Sequence, residues 1–231
     1  MTPPVNPALR AALDETARVY EAAFPSPFTP DTPLDDVRFV VLDTETTGSD
    51  PRRDKIITIG AVVVQAGDIH LEDSFEAMLH IPYNMSSVKV HGITRDQARD
   101  GLTEPEALLA FLPYLSNGVI VGHHIGHDVQ ALDLACRRNL NVPLLNQSLD
   151  TMDLALHLES DGAFGDHKFQ SFTLDALCDH FSIPTHDRHT AGGDALLTAY
   201  VFLRLLRRAK RVNRITLGSI TEPPPKESPP V

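Results

Sequence analysis

Apolar residues Leu9, Leu13, Tyr20 and Phe24 recur at helical spacing between Asn6 and Phe24, which predicts an amphipathic docking helix capped by Asn6 with Pro7 at its first position. Pro25, Pro27, Pro30 and Pro33 break any regular element after it, so residues 25–35 read as a linker. An apolar run from Val37 to Leu42 and the β-branched stretch Lys55 to Gln65 then predict core strands covered on both faces, and Asp73 to Ile81 predicts a third strand. Helical patterns follow over Thr103 to Leu115, Asp128 to Asn139, the Leu174, Leu177, Cys178, Phe181 set, and about Ala195 to Arg208. A brief buried strand, Val119 to Val121, separates the first two of these helices.

No internal repeat is visible. Strands first, then helices alternating with further strand, predict an α/β domain whose mixed central sheet is flanked by helices. The implied organisation is residues 1–35 as an N-terminal helix and Pro-rich linker, 36–212 as the main domain, and 213–231 as a disordered Pro-rich tail.

Composition narrows the class. The 231 residues suit one domain with tails, and 42% hydrophobic with 22% charged residues excludes wholesale disorder and fibrous repeats. No apolar run approaches the roughly 20 residues that span a bilayer, and Met1 to Arg10 lacks a basic region followed by an apolar one, so no membrane partner and a cytoplasmic location are expected. Cys136 and Cys178 are isolated within helical stretches and read as reduced packing residues. The formal charge of −11 argues against a protein that coats nucleic acid, yet Arg204, Arg207, Arg208, Lys210, Arg211 and Arg214 crowd one short stretch. That face reads either as solvated or as phosphate-facing.

The segment Val40-Val-Leu-Asp-Thr-Glu-Thr-Thr-Gly48 ends an apolar strand in two acids one residue apart. Residues two apart share a strand face, so Asp43 and Glu45 can point together. Such a pair raises one carboxyl pKa unless a cation compensates, and hard oxygen ligands suit Mg²⁺ or Mn²⁺. The alternative is a strand end followed by turn residues. Asp128 follows a short strand at a helix entrance, where it reads as a metal ligand or as an N-cap. In His189-Thr-Ala-Gly-Gly-Asp194 the histidine belongs to a loop or first turn and the aspartate to a helix, with Gly192 and Gly193 marking a mobile or closely approached turn. His189 alone reads equally as a surface histidine.

Taken in order, Asp43-Thr-Glu-Thr-Thr-Gly48, His123 to Asp128 and His189 to Asp194 resemble the three motifs of the DEDDh-type, DnaQ-like 3′-to-5′ exonuclease superfamily, which includes the proofreading subunit of bacterial replicative polymerase. The likeness spans roughly Val37 to Leu206, and Val90-His-Gly-Ile-Thr94, Asp150-Thr-Met-Asp-Leu and Thr173-Leu-Asp-Ala-Leu-Cys resemble further family segments. It implies a ribonuclease H-like fold, with Asp43, Glu45, Asp128 and Asp194 as metal-binding carboxylates and His189 as general base. It also implies that Thr46, Thr47, Gly48, His91 and His123 line the terminal-nucleotide pocket. The chain departs from the family by carrying His124 and His127 where an asparagine and a large apolar residue are common.

The activity so implied is metal-dependent removal of nucleoside 5′-monophosphates from the 3′ ends of single-stranded DNA or RNA, of the proofreading or repair type, with single-stranded DNA favoured. Two Mg²⁺ or Mn²⁺ ions about 3.5–4 Å apart are expected: one, on Asp43, Glu45 and Asp194, activates water, and the other, mainly on Asp43, steadies the leaving oxygen. His189 takes the proton of the water. A polymerase or another replication or repair protein is the expected protein partner. Two rivals are a docking module that kept the fold and lost catalysis, and a haloacid-dehalogenase-type phosphatase using Asp43 as nucleophile.

Overall fold

The computed structural model of the chain describes residues 6–24, 28–80 and 101–221. Its centre is a five-stranded sheet in the order β3-β2-β1-β4-β5. The strands are β1 (Phe39–Thr46), β2 (Ile56–Gln65), β3 (Asp68–Met78), β4 (Val119–Gly122) and β5 (Ser148–Asp150). β1, β2 and β3 pair antiparallel, whereas β1 with β4 and β4 with β5 pair parallel. The sheet is therefore mixed, as the alternation of elements predicts.

Helices cover both faces, because the first half of β1 (Phe39–Leu42), nearly all of β2 and all of β4 lack charged residues and are buried on whichever side they point. On one face Val40, Leu42, Ala61 and Ile120 pack against α1 (Pro7–Ala22), α2 (Glu104–Leu115) and α3 (Gly126–Leu140), through Leu13, Phe111 and Leu132. On the other, Phe39, Val41, Val62 and Val121 pack against α4 (Thr151–Ser160), α5 (Leu174–Phe181) and α6 (Ala191–Arg211), through Leu154, Leu177 and Phe202. Phe39 and Phe202 meet edge to face at 4.9 Å. Asn6 caps α1 as expected, accepting from the Ala8 N–H at 2.9 Å. Cys136 and Cys178 are both free and buried in helices, where burial pushes their thiols up to about 12 and about 11.

Several boundaries differ from the sequence expectation. β3 begins at Asp68, not Asp73, because the tight Ala66–Gly67 turn returns the chain directly to β2. α3 and α6 each start earlier than predicted; Thr190 caps α6 by accepting from the Gly193 N–H at 3.1 Å, which carries Gly192 and Gly193 into the helix. Within the stretch from 213, read from its composition as a tail, Leu217–Thr221 forms a short helix, α7, with Leu217 and Ile220 buried.

A close backbone approach seats the first turn of α6 on the sheet. Gly60 of β2 lies opposite Asp43 of β1, and a Cβ there would fall 2.3 Å from both the Ala191 carbonyl carbon and the Gly192 nitrogen. Only hydrogen fits where the first turn of α6 rests on β2. Gly60→Ala is therefore expected to destabilise the fold by roughly 2–3 kcal/mol or more, since both groups it meets are backbone. Urea unfolding measures this, and an unchanged midpoint would contradict the packing described.

Candidate active site

The acids converge for identifiable reasons. Phe39, Val41, Asp43 and Glu45 alternate along one face of β1, so the two carboxylates project toward the side covered by α6. Between Glu45 and Thr46 the register of β1 with β2 shifts, a bulge that ends regular pairing beside the acids. Asp194 arrives from the first turn of α6, set on the sheet at Gly60. Asp43, Glu45 and Asp194 each offer a carboxylate oxygen, and these oxygens all lie within 4.8 Å of one another.

Asp128 behaves differently. It sits inside α3 rather than capping it, and it belongs to the helix layer on the opposite face of the sheet. Its Oδ1 accepts from the backbone N–H of Thr44 at 2.8 Å and from the Thr44 hydroxyl at 2.6 Å. The carboxylate is thus tied to the strand end between Asp43 and Glu45, beside the three clustered acids rather than among them.

Burial and mutual repulsion dominate the electrostatics. Desolvation, followed by the charges of Asp128, Asp194 and Glu45, pushes the Asp43 carboxyl up to about 9. Desolvation, then Asp194 and Asp128, pushes Glu45 up to about 7, and burial raises Asp128 against the pull of its Thr44 bonds. Such a set fits a hard divalent cation, whose charge would offset the repulsion that protons otherwise relieve.

Arg188, which the motifs do not single out, supplies a fixed positive charge. Its guanidinium bridges Asp175 at the start of α5, at 2.7 and 3.2 Å, to Asp194. The second Asp194 oxygen accepts from the His189 N–H at 3.2 Å. His189 has a φ of 65°, a backbone conformation uncommon outside glycine. His189 lines a pocket of about 400 Å³ together with Asp43, Glu45, Asp194, Arg188, His123 and His124.

Asp150 holds the β4–α3 turn in place, accepting from the N–H groups of His124 and Ile125 at 3.2 and 3.1 Å while also capping α4. This presents His123, whose Nδ1 meets the Thr151 hydroxyl at 2.9 Å and whose buried Nε2 has no partner among the described residues. Burial, with His124 beside it, pushes His123 down to about 4. His127 Nε2 lies 3.3 Å from the Thr46 hydroxyl.

Thr46 ends β1 and Thr47 and Gly48 open the turn to β2; none of the three is in the lining of the acid pocket. Thr46 donates to the Gly48 carbonyl at 2.7 Å, and Thr47 bonds Asp54 at 3.0 Å. His91 lies outside the described residues.

The raised carboxyls have a measurable consequence. Without metal, the folded protein binds protons on Asp43 and Glu45 more tightly than the unfolded chain, whose carboxyls titrate near ~4. Stability should therefore fall as pH rises from about 4 through the folded values. In chelator, Asp43→Asn is expected to raise the melting temperature by roughly 3–6 °C at pH 8 and by little at pH 5. A gain independent of pH would contradict this.

The chain matches the exonuclease family (RNase T type) over residues 40–202. It is 32% identical over 192 residues to the PolC-type DNA polymerase III of Thermotoga petrophila, covering 82% of this chain and 13% of that protein. It is 34% identical over 195 residues to a DNA polymerase III subunit epsilon-like protein of Rhodobacter capsulatus, covering 82% and 27%. The chain thus spans only a minor part of either relative. Among solved structures, exonuclease I of E. coli in complex with a dT13 oligonucleotide aligns with a TM-score of 0.63 at 19% identity, over 77% of this chain and 43% of that one. Cell-death related nuclease 4 aligns at 0.60 and 17% identity, over 76% and 65%. These likenesses establish the ribonuclease H-like exonuclease fold. Among the described residues no helix is long and apolar enough to cross a membrane.

Proposed function

This chain belongs to the exonuclease family, and from that premise we propose that it is a metal-dependent 3′-to-5′ exonuclease that releases nucleoside 5′-monophosphates from single-stranded DNA. The observation that carries the reading is the meeting of Asp43, Glu45 and Asp194 within 4.8 Å, in a pocket that His189 also lines.

Asp43, Glu45 and Asp194 would hold two Mg²⁺ or Mn²⁺ ions, with Asp128 completing the set from the first turn of α3. When bound, such ions stabilise charge on the phosphoryl oxygens, lower the pKa of water and ease departure of the 3′ oxygen. The chain's own groups do the rest. His189 accepts the proton of the attacking water, the water oxygen bonds to phosphorus as the bond to the 3′ ester oxygen breaks, and that oxygen takes a proton from solvent to become a hydroxyl. Arg188 adds positive charge at the pocket rim and holds Asp194 in place. His123, which lines the pocket, contacts the terminal nucleotide, and Thr46, Thr47, Gly48 and His91 complete its binding site. The names of the relatives support a polymerase or another replication protein as a partner, and cytoplasmic action with it.

The test uses single strands labelled at the 3′ end, digested with Mg²⁺ or Mn²⁺ and with excess chelator. Release of labelled 5′-mononucleotide, abolished by chelator, is expected. Undegraded strands, or internal cuts that leave the terminal nucleotide in longer fragments, would overturn the proposal. Matched single-stranded DNA, duplex DNA with a mismatched 3′ end and short RNA, run side by side, rank the substrates.

A further inference from the structure

The basic stretch near the C-terminus is unused by the chemistry above. Three of its six cations are engaged at home: Arg208 lies over the Phe164 ring at 5.5 Å and donates to the Ala163 carbonyl, Lys210 pairs with Asp35 at 2.7 Å, and Arg214 pairs with Asp161. Arg204, Arg207 and Arg211 are exposed and have no hydrogen bond or ion pair among the described residues. Their spacing of three and four residues places them on one face of α6. With His180 and Phe181 from the end of α5 they line a groove of about 260 Å³. In a chain of net charge −11, unneutralised guanidiniums converging on one groove mark a place built for an anion.

The groove's position identifies the anion. Thr173, Leu174 and Asp175 at the start of α5 wall the acid pocket, and His180 and Phe181 at its end wall the arginine groove, so one short helix joins the two. Along α6, Arg204 and Arg211 lie about 15 and 25 Å beyond Asp194 at the helical rise. A strand with its 3′ end at the acids can run over this edge. The aromatic walls of the groove suit an unpaired strand, whose bases are free to stack.

We propose that Arg204, Arg207 and Arg211 grip the phosphate backbone of the same substrate strand several nucleotides upstream of the 3′ end. This rests on the exonuclease reading. The grip sets affinity for long strands and leaves the chemical step alone.

The experiment compares the full chain with the triple variant Arg204→Ala, Arg207→Ala, Arg211→Ala on two substrates, dT20 and dT2. The single phosphate of dT2 is the one cut, so it cannot reach the groove. For dT20, KM is expected to rise about tenfold or more with kcat unchanged, and the slope of log KM against log salt to fall by roughly 2, at about 0.7 per lost single-strand phosphate contact. For dT2 both constants should stay unchanged, and the corresponding triple lysine variant should restore the salt slope. Equal losses on dT2 and dT20, or no change on dT20, would overturn the proposal. An independent arm measures binding of 5′-labelled dT20 by anisotropy in an Asp43→Asn background, which reads the groove even if no strand is ever degraded. Weaker binding with a shallower salt slope in the triple variant supports the grip, and undiminished binding overturns it.

Discussion

Asp43→Asn is expected to cut nucleotide release by at least about 10³-fold while leaving the protein folded and, without metal, more stable. Asparagine keeps the shape of the side chain and removes its charge. Asp43 sits centrally: its oxygen lies within 4.8 Å of ligand atoms on both Glu45 and Asp194, and its carboxyl is pushed up to about 9 by burial and by three neighbouring acids. A group with that environment costs stability in the folded chain, and such a cost is commonly retained where catalysis needs it. Loss of a residue that holds metal removes charge stabilisation from the transition state, for which losses of several kcal/mol are usual, each ~1.4 kcal/mol being tenfold in rate. Initial rates on a 3′-labelled strand, with a thermal melt on the same preparation, separate lost chemistry from lost folding. Digestion at the parent rate would remove Asp43 from the mechanism.

His189→Gln should lower kcat by about 10²–10⁴-fold with metal binding retained. The histidine touches the acid cluster through its backbone, whose N–H donates to Asp194 at 3.2 Å, so changing the ring spares that bond. The residue also lines the pocket, from a backbone position with φ 65°. The variant should therefore bind Mn²⁺ as the parent does and fail mainly in turnover. Equal loss of metal binding and turnover would recast His189 as a structural residue, and parent-like turnover would assign the proton to another group.

The sequence discloses the site where chemistry follows local geometry. The period of two in a strand sets Asp43 and Glu45 on one face, and the runs Phe39–Leu42, Ile59–Val64 and Val119–Val121, free of charged residues, locate β1, β2 and β4. It reaches less far where long-range contacts decide. The approach of Asp194 depends on Gly60, a residue in another strand that no pattern around α6 advertises. Asp128 satisfies the rule for a helix cap, yet its carboxylate bonds Thr44, 84 residues away. Arg188 adjoins His189 in sequence, but its choice of Asp175 and Asp194 is tertiary. Prolines made the C-terminal stretch look unstructured, although Leu217 and Ile220 find a place in the core.

The same geometry weakens the rivals. A phosphatase using Asp43 as nucleophile has no role for Asp194 beside it, and family membership argues for the nuclease instead. A fold retained only for docking has no need to hold three mutually repelling acids together.

The most direct measurement counts ions. Titration of the chain with Mn²⁺, followed by electron paramagnetic resonance, should find two ions per chain, and Asp194→Asn should lose at least one while remaining folded. A parent chain that binds none, or an Asp194→Asn variant that binds as many as the parent with the same affinity, would contradict a shared cation site built from β1 and α6.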